Sequence, residues 1–221
     1  MGAVLILMVG CRGASGVSTT LVQDRDPVAF KRIAVMPFQG ANAEDMARYA
    51  RTTAIPASVL NVQSNPANPE GVVEGLFWER IVHQKKFDLV SPDRTGGIFQ
   101  QITSISYKTT FPEAIARVGS ELDADGLVVG YVYRYRERQG YDYSAEKPAS
   151  VAFEIRLYRC RDGALVWKAA FDKTQTSLME DMLRASSFIK DRGRWITARE
   201  LASQGMDDVL KAFPGLVQAG H

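Results

Sequence analysis

The sequence predicts an α/β (α+β) fold: a mixed β-sheet with helices packed on it, in the order β-α-β-α-β-β-β-α, closing on a C-terminal helix. Three observations carry this. Two short apolar runs, 33–38 and 87–90, are separated by a segment of helical period. Three strand-like runs, 127–136, 150–159 and 165–171, then follow one another, with Asp162-Gly163 as a hairpin turn between the last two. Finally, Thr110 with Glu113, and Thr197 with Glu200, have the spacing of capping boxes that start helices.

In chain order, residues 33–38 read as a buried strand halted by Pro37, which lacks the N–H a ladder needs. One short helix is expected over 44–51, followed by a loop rich in Pro and Asn from Pro56 to Pro69. In 72–85, Val73, Phe77 and Ile81 recur every four residues beside Leu76, so one helix face is apolar while Glu79, Arg80, Gln84 and Lys85 stay wet. Residues 87–90 return as a strand.

Ser91-Pro92-Asp93 starts a short helical element that ends near Gln101, and 102–109 carry no assignable period. The stripe Phe111, Ile115, Val118 and Leu122 makes 110–122 a helix. Asp123 and Asp125 then turn the chain into a long strand that begins buried and is expected to become amphipathic on leaving the core. This aspartate pair lacks the further oxygen ligands and the bidentate Glu of a calcium loop, so the two are read as turn formers. In 150–159, Val151, Phe153, Ile155 and Leu157 face one way and Glu154, Arg156 and Tyr158 the other. Helices are expected at 179–185 and 197–213, the second stopped by Pro214-Gly215.

The beginning of the chain carries a different signal. Residues 3–9 are uninterruptedly apolar and give way at Gly10-Cys11 to small and polar residues. Met8-Val9-Gly10-Cys11 resembles the lipobox of bacterial lipoproteins, in which the cysteine thiol takes a diacylglyceryl thioether after cleavage. The expected organisation is a signal peptide at 1–10, lipidated Cys11 and a flexible Gly/Ser/Thr tether over 11–30, and one α/β domain over 31–221. The run is too short for the roughly 20 apolar residues of a membrane-spanning helix.

Composition adds bounds. With 46% hydrophobic and 24% charged residues the chain is an ordinary globular one, and a formal net charge of +2 gives no reason to expect nucleic acid as a partner. Once Cys11 is lipidated, Cys160 has no partner for a disulfide and reads as a small core residue or a weakly exposed one. His83 lies on the polar side of a helix and His221 at the chain end, so neither suggests a base for Cys160. No cofactor, metal site or catalytic residue is expected.

Together the lipobox cysteine, the 33–38 strand, the helix leading into 87–90, the Asp123-Ala-Asp-Gly126 turn into a long strand, and Asp162-Gly163-Ala-Leu-Val-Trp167 resemble a broad group of envelope lipoproteins. That group includes the curli-secretion lipoprotein and the activator lipoproteins of penicillin-binding proteins. The resemblance runs from Lys31 to about Phe213. It implies an α/β sandwich anchored by lipid to the outer membrane, facing the periplasm. Such a protein would act without catalysis, through an envelope protein partner or as a homo-oligomer, in assembly, secretion or cell-wall synthesis. Arg12 after the cysteine is compatible with outer-membrane sorting. Unlike the curli pore, this chain has no pair of alternating, membrane-length strands, since 51–62 and 102–109 are too short or broken by Pro.

Tyr and Arg are frequent in binding hot spots, which singles out Tyr133, Arg134, Tyr135, Arg136, Arg138, Tyr141 and Tyr143 as an expected interaction surface. The competing expectation for this stretch is a core-covering tyrosine face backed by solvated arginines. Two other function classes fit less well. An envelope enzyme acting on glycan or peptide would need facing carboxylates, for which Glu79, Asp88 and Asp93 are the candidates. A ligand-binding module would use the Tyr/Arg strand as a stacking platform.

Overall fold

The computed structural model describes residues 17–21, 29–40, 68–105, 108–141, 144–175 and 195–216. The apolar run and Cys11, the helix expected at 44–51, the Pro/Asn loop up to residue 67, Tyr143 and the helix expected at 179–185 lie outside the described residues. Among the described residues, strands β1 (Val17–Leu21), β2 (Arg32–Val35), β3 (Gln39–Gly40), β4 (Asp88–Val90), β5 (Gly126–Arg136), β8 (Ser150–Arg159) and β9 (Ala164–Thr174) form one sheet in the order β1-β9-β8-β5-β2-β4, with β3 also on β5. A separate hairpin, β6 (Gln139–Tyr141) and β7 (Ser144–Lys147), leaves the end of β5 and returns into β8.

The sheet is mixed, as expected. β2 runs parallel to both β4 and β5, with Ile33 opposite Leu89 on one side and Gly126 on the other. Pro37 has no N–H, so the ladder with β5 breaks there and resumes as β3, where Gln39 pairs with Tyr131. β5, β8, β9 and β1 are successively antiparallel.

Helix α1 (Pro69–His83) starts where the Asn68 side chain accepts the Gly71 N–H at 2.8 Å and Pro supplies the first helical residue. α2 spans Pro92–Ile105, α3 Phe111–Leu122 and α4 Ala198–Leu210. Both capping boxes form. The Thr110 and Thr197 amides donate to Glu113 and Glu200 at 2.9 Å, and each threonine hydroxyl accepts from its glutamate's amide in return.

Helices cover the sheet on both faces. On one, α1 and α4 pack Phe77, Ile81, Leu201 and Met206 onto Ile33, Val128, Phe153, Trp167 and Phe171. Phe213, just past α4, is fully buried with its ring 5.0 Å from Trp167, 6.2 Å from Phe77 and 6.0 Å from Phe87. Burying each such side chain contributes roughly 2–3 kcal/mol. The other face packs Ile102, Ile115, Val118 and Leu122 of α2 and α3 onto Ala34, Val90, Leu127, Val129 and Tyr158.

This two-sided cover changes two expectations. β5 does not become amphipathic, because all its residues but Tyr131 and Arg136 are buried. The helix starting at Pro92 runs on to Ile105 since Ile102 still has the second core to pack into. Both sides of the β8 alternation are covered as well, with Glu154 and Tyr158 buried and Arg156 half-buried. A third difference lies at the N-terminal side. Val17–Leu21, expected within the flexible tether, is an edge strand with Val17 opposite Phe171 and Leu21 opposite Trp167.

α4 sits so close to β9 that a Cβ on Gly205 would meet the Phe171 ring at 2.5 Å. Gly205→Ala is expected to destabilise the fold by roughly 1–3 kcal/mol in chemical denaturation. Gly75→Ala, on an exposed part of α1 with open space around it, is expected to stabilise by about 1 kcal/mol in the same measurement.

Candidate functional site

The Tyr/Arg stretch singled out in the sequence lies at one end of the sheet, where β5 stops, β8 begins and β9 ends. A β-bulge governs it. Val132 pairs with Phe153 and Arg134 with Ala152, which leaves Tyr133 as the extra residue. An extra residue reverses the alternation beyond it. Tyr135 therefore turns into the α1/α4 core, while Arg134 and Arg136 share the opposite face.

The register then explains Arg134. Across the sheet, Arg134 of β5, Ala152 of β8 and Asp172 of β9 lie in one row, and the small alanine leaves room for the two charged groups to meet over it. The Arg134 guanidinium, 4% exposed, pairs with Asp172 through Nη2 and donates from Nε to Ser150 Oγ at 2.7 Å. Ser150 in turn shares a hydrogen bond with Thr174 in the adjacent row. Arg134 Nη1 is buried without a hydrogen-bond partner.

A second group lies further down the same face. Tyr131 stacks on Tyr133 at 6.5 Å, the Arg156 guanidinium sits 4.6 Å over the Tyr131 ring, and Arg156 also pairs with Glu154. Burial works against the charge on Arg156, but the neighbouring Glu154 and Tyr158 more than offset it, so its pKa lies above the ordinary guanidinium value. Burial, reinforced by Glu137, pushes the Tyr135 hydroxyl up to about 12, so it stays neutral.

Beyond this rigid end the β6–β7 hairpin projects. Its base is tied to α4: Glu137 Oε1 accepts the Ala198 N–H at 3.0 Å, placing a carboxylate at the helix N-terminus. Gln175 fastens the neighbouring segment by accepting from Ile196 N and donating from its own N to Ala149 O. Tyr141, next to the hairpin tip, is 83% exposed.

The expected surface is thus split by the fold. Tyr133, Arg134 and Tyr135 are buried, and Arg136 and Arg138 are half-buried; Tyr141 stands in solvent, and Tyr143 is outside the described residues. The core-covering tyrosines of the second reading hold for Tyr131 and Tyr133, while buried Arg134 corrects both readings, which place it at the surface. Sequence reasoning missed Ser150, Asp172, Thr174 and Glu137, whose roles follow from strand register and leave no mark in a single strand's pattern.

Other candidates have settled positions. Glu79 is exposed on α1, Asp88 pairs with Arg32 at 3.0 Å beside the edge of the sheet, and Asp93 lies in the first turn of α2. The three carboxylates thus stand on three elements. Asp125 accepts the Lys31 and Arg32 amides at 2.9 and 3.0 Å, and Asp123 ends α3 with a left-handed φ of 51°. Asp123 is a turn former, as read, while Asp125 holds the start of β2 beside the start of β5. His83 is exposed, and no metal-like group of three His, Cys, Asp or Glu occurs among the described residues. Cys160 is buried against α3; burial first and Asp125 second push its thiol up to about 12.

Three outcomes follow. Asp172→Ala leaves the Arg134 charge buried without its counterion, and a loss of roughly 3 kcal/mol in urea denaturation is expected. Replacing both partners, Arg134→Met with Asp172→Ala, should cost clearly less than the sum of the two single changes. In a Cys11→Ala background, the Cys160 thiol should resist iodoacetamide at pH 8 in the folded protein and react on unfolding, because so little of it is thiolate at that pH.

No protein-family model matches the chain, and no curated protein matches it. Among solved structures, the PelC dodecamer from Paraburkholderia phytofirmans aligns at a TM-score of 0.50 and 12% identity, over 91% of this chain and 97% of that one. The hypothetical protein CT253 from Chlamydia trachomatis aligns at 0.50 and 12% identity, over 87% and 100%. The lipoprotein GNA1162 from Neisseria meningitidis aligns at 0.40 and 12% identity, over 74% and 99%. With PelC and CT253 this chain shares a fold, a mixed sheet with helices packed on it and a C-terminal helix.

Proposed function

We propose that this protein is a lipid-anchored accessory factor of the bacterial cell envelope, held at the outer membrane facing the periplasm. It works without catalysis, through protein contacts, in assembly, secretion or cell-wall synthesis. The observation that carries this reading is the position of the first strand. Val17 enters the sheet six residues after Cys11, so the segment most like a lipoprotein attachment site runs almost directly into the folded domain. Such a short connection holds the domain at the bilayer rather than letting it roam, which suits a scaffold or a regulator of a membrane-bound partner. The fold shared with the PelC dodecamer supports self-association as one form these contacts take.

The test is fractionation of the expressed full chain. The wild type is expected in the membrane pellet through a high-salt wash, with a mass at residue 11 that includes acyl chains. Cys11→Ala is expected in the soluble fraction, folded and with an unchanged denaturation midpoint. A soluble wild type, or an unmodified thiol at Cys11, overturns the reading.

A further inference from the structure

Resting on the anchoring reading above, we infer that the β6–β7 hairpin is a bilayer-contact element, with Tyr141 seated among phospholipid headgroups and Arg136 and Lys147 beside it facing their phosphates. The argument starts from strand direction. β1 is antiparallel to β9, with Val17 opposite Phe171, so the N-terminal end of β1 points towards Thr174, the last residue of β9. Thr174 pairs with Ser150, the first residue of β8, and Ser150 with Arg136, the last of β5. All of these mark one end of the sheet. It is the end from which the hairpin projects, between Arg136 and Ser150.

Chain length does the rest. From Cys11 to Val17 the chain spans at most about 20 Å when fully extended. β8, ten residues long, spans about 33 Å from this end of the sheet to the β8–β9 turn at the other. A lipid on Cys11 therefore brings the hairpin end to the membrane and keeps the Arg161 turn away from it.

The hairpin's residues fit that place. Tyrosine is amphipathic and settles at the headgroup level of bilayers, and Tyr141 is the most exposed of the large hydrophobic residues described. Lys147 is exposed across the hairpin from Gln139, and the half-buried Arg136 lies at its base. Glu137 is turned to the α4 N-terminus, and Glu146 is exposed beside Lys147. Basic groups close to a surface are drawn to anionic lipid by about 1 kcal/mol each.

The experiment uses the lipidated full chain in vesicles of phosphatidylethanolamine and phosphatidylglycerol. A fluorophore is placed on the new thiol of Tyr141→Cys or, separately, of Arg161→Cys, Cys160 being sheltered. On vesicles, the label at 141 is expected to lose most of its quenching by aqueous iodide relative to the same label in a Cys11→Ala background, and the label at 161 to keep its quenching. Equal quenching at the two positions, in protein that floats with the vesicles, overturns the contact while leaving the anchor in place. Protection at 141 in whole envelopes but not on pure lipid overturns it in favour of a protein cover. Failure to float overturns the anchor itself, and the contact with it.

Discussion

The structure depends on burying β5 and β8 from both sides. A strand with one wet face can discard its polar residues into solvent, whereas one between two helical layers must find a partner for each. Leu127, Val128, Val129, Phe153 and Ile155 meet that demand with apolar side chains. Arg134, Ser150 and Glu154 cannot, and their positions follow from it: Arg134 reaches Asp172 and Ser150, while Glu154 reaches Arg156. Such groups stabilise little against an apolar core of the same shape, but removing one member leaves another uncompensated, which makes the arrangement specific.

The bulge at Tyr133 sets which side chains meet that demand. Without the extra residue Tyr135 would share a face with Tyr131, and the arginines would turn into the α1/α4 core beside Phe153 and Val151. With it, that core keeps an aromatic ring, and the guanidinium comes level with the one carboxylate that lies in its row, Asp172. The bulge also ends the regular ladder shortly before the chain leaves for the hairpin, so the same local irregularity separates a rigid, ion-paired sheet end from a projecting element.

Much of this was legible in the sequence. The capping boxes located the starts of α3 and α4 almost to the residue, because side-chain acceptors and backbone N–H donors three residues apart meet reciprocally at a helix start. The alternation in β8 and the Asp162-Gly163 turn placed the antiparallel part. What stayed hidden is non-local. Periodicity in β8 shows that Glu154 and Tyr158 share a face, but not that this face is covered by the stacked tyrosines at one end and by α3 at the other. A bulge cancels alternation within a run that otherwise reads as regular, so Tyr135 and Arg134 could not be sorted by counting. Val17–Leu21, with three β-branched residues beside a Gly/Ser-rich stretch, becomes a strand by pairing with β9's open edge.

The pairing of β1 with β9 joins one of the earliest segments of the chain to one made three quarters of the way along it. During synthesis, or passage through a pore in the same direction, β1 has no ladder to join until Phe171 and its neighbours are free. The edge of the sheet therefore closes late, and the chain keeps itself unfinished and threadable for most of its transit.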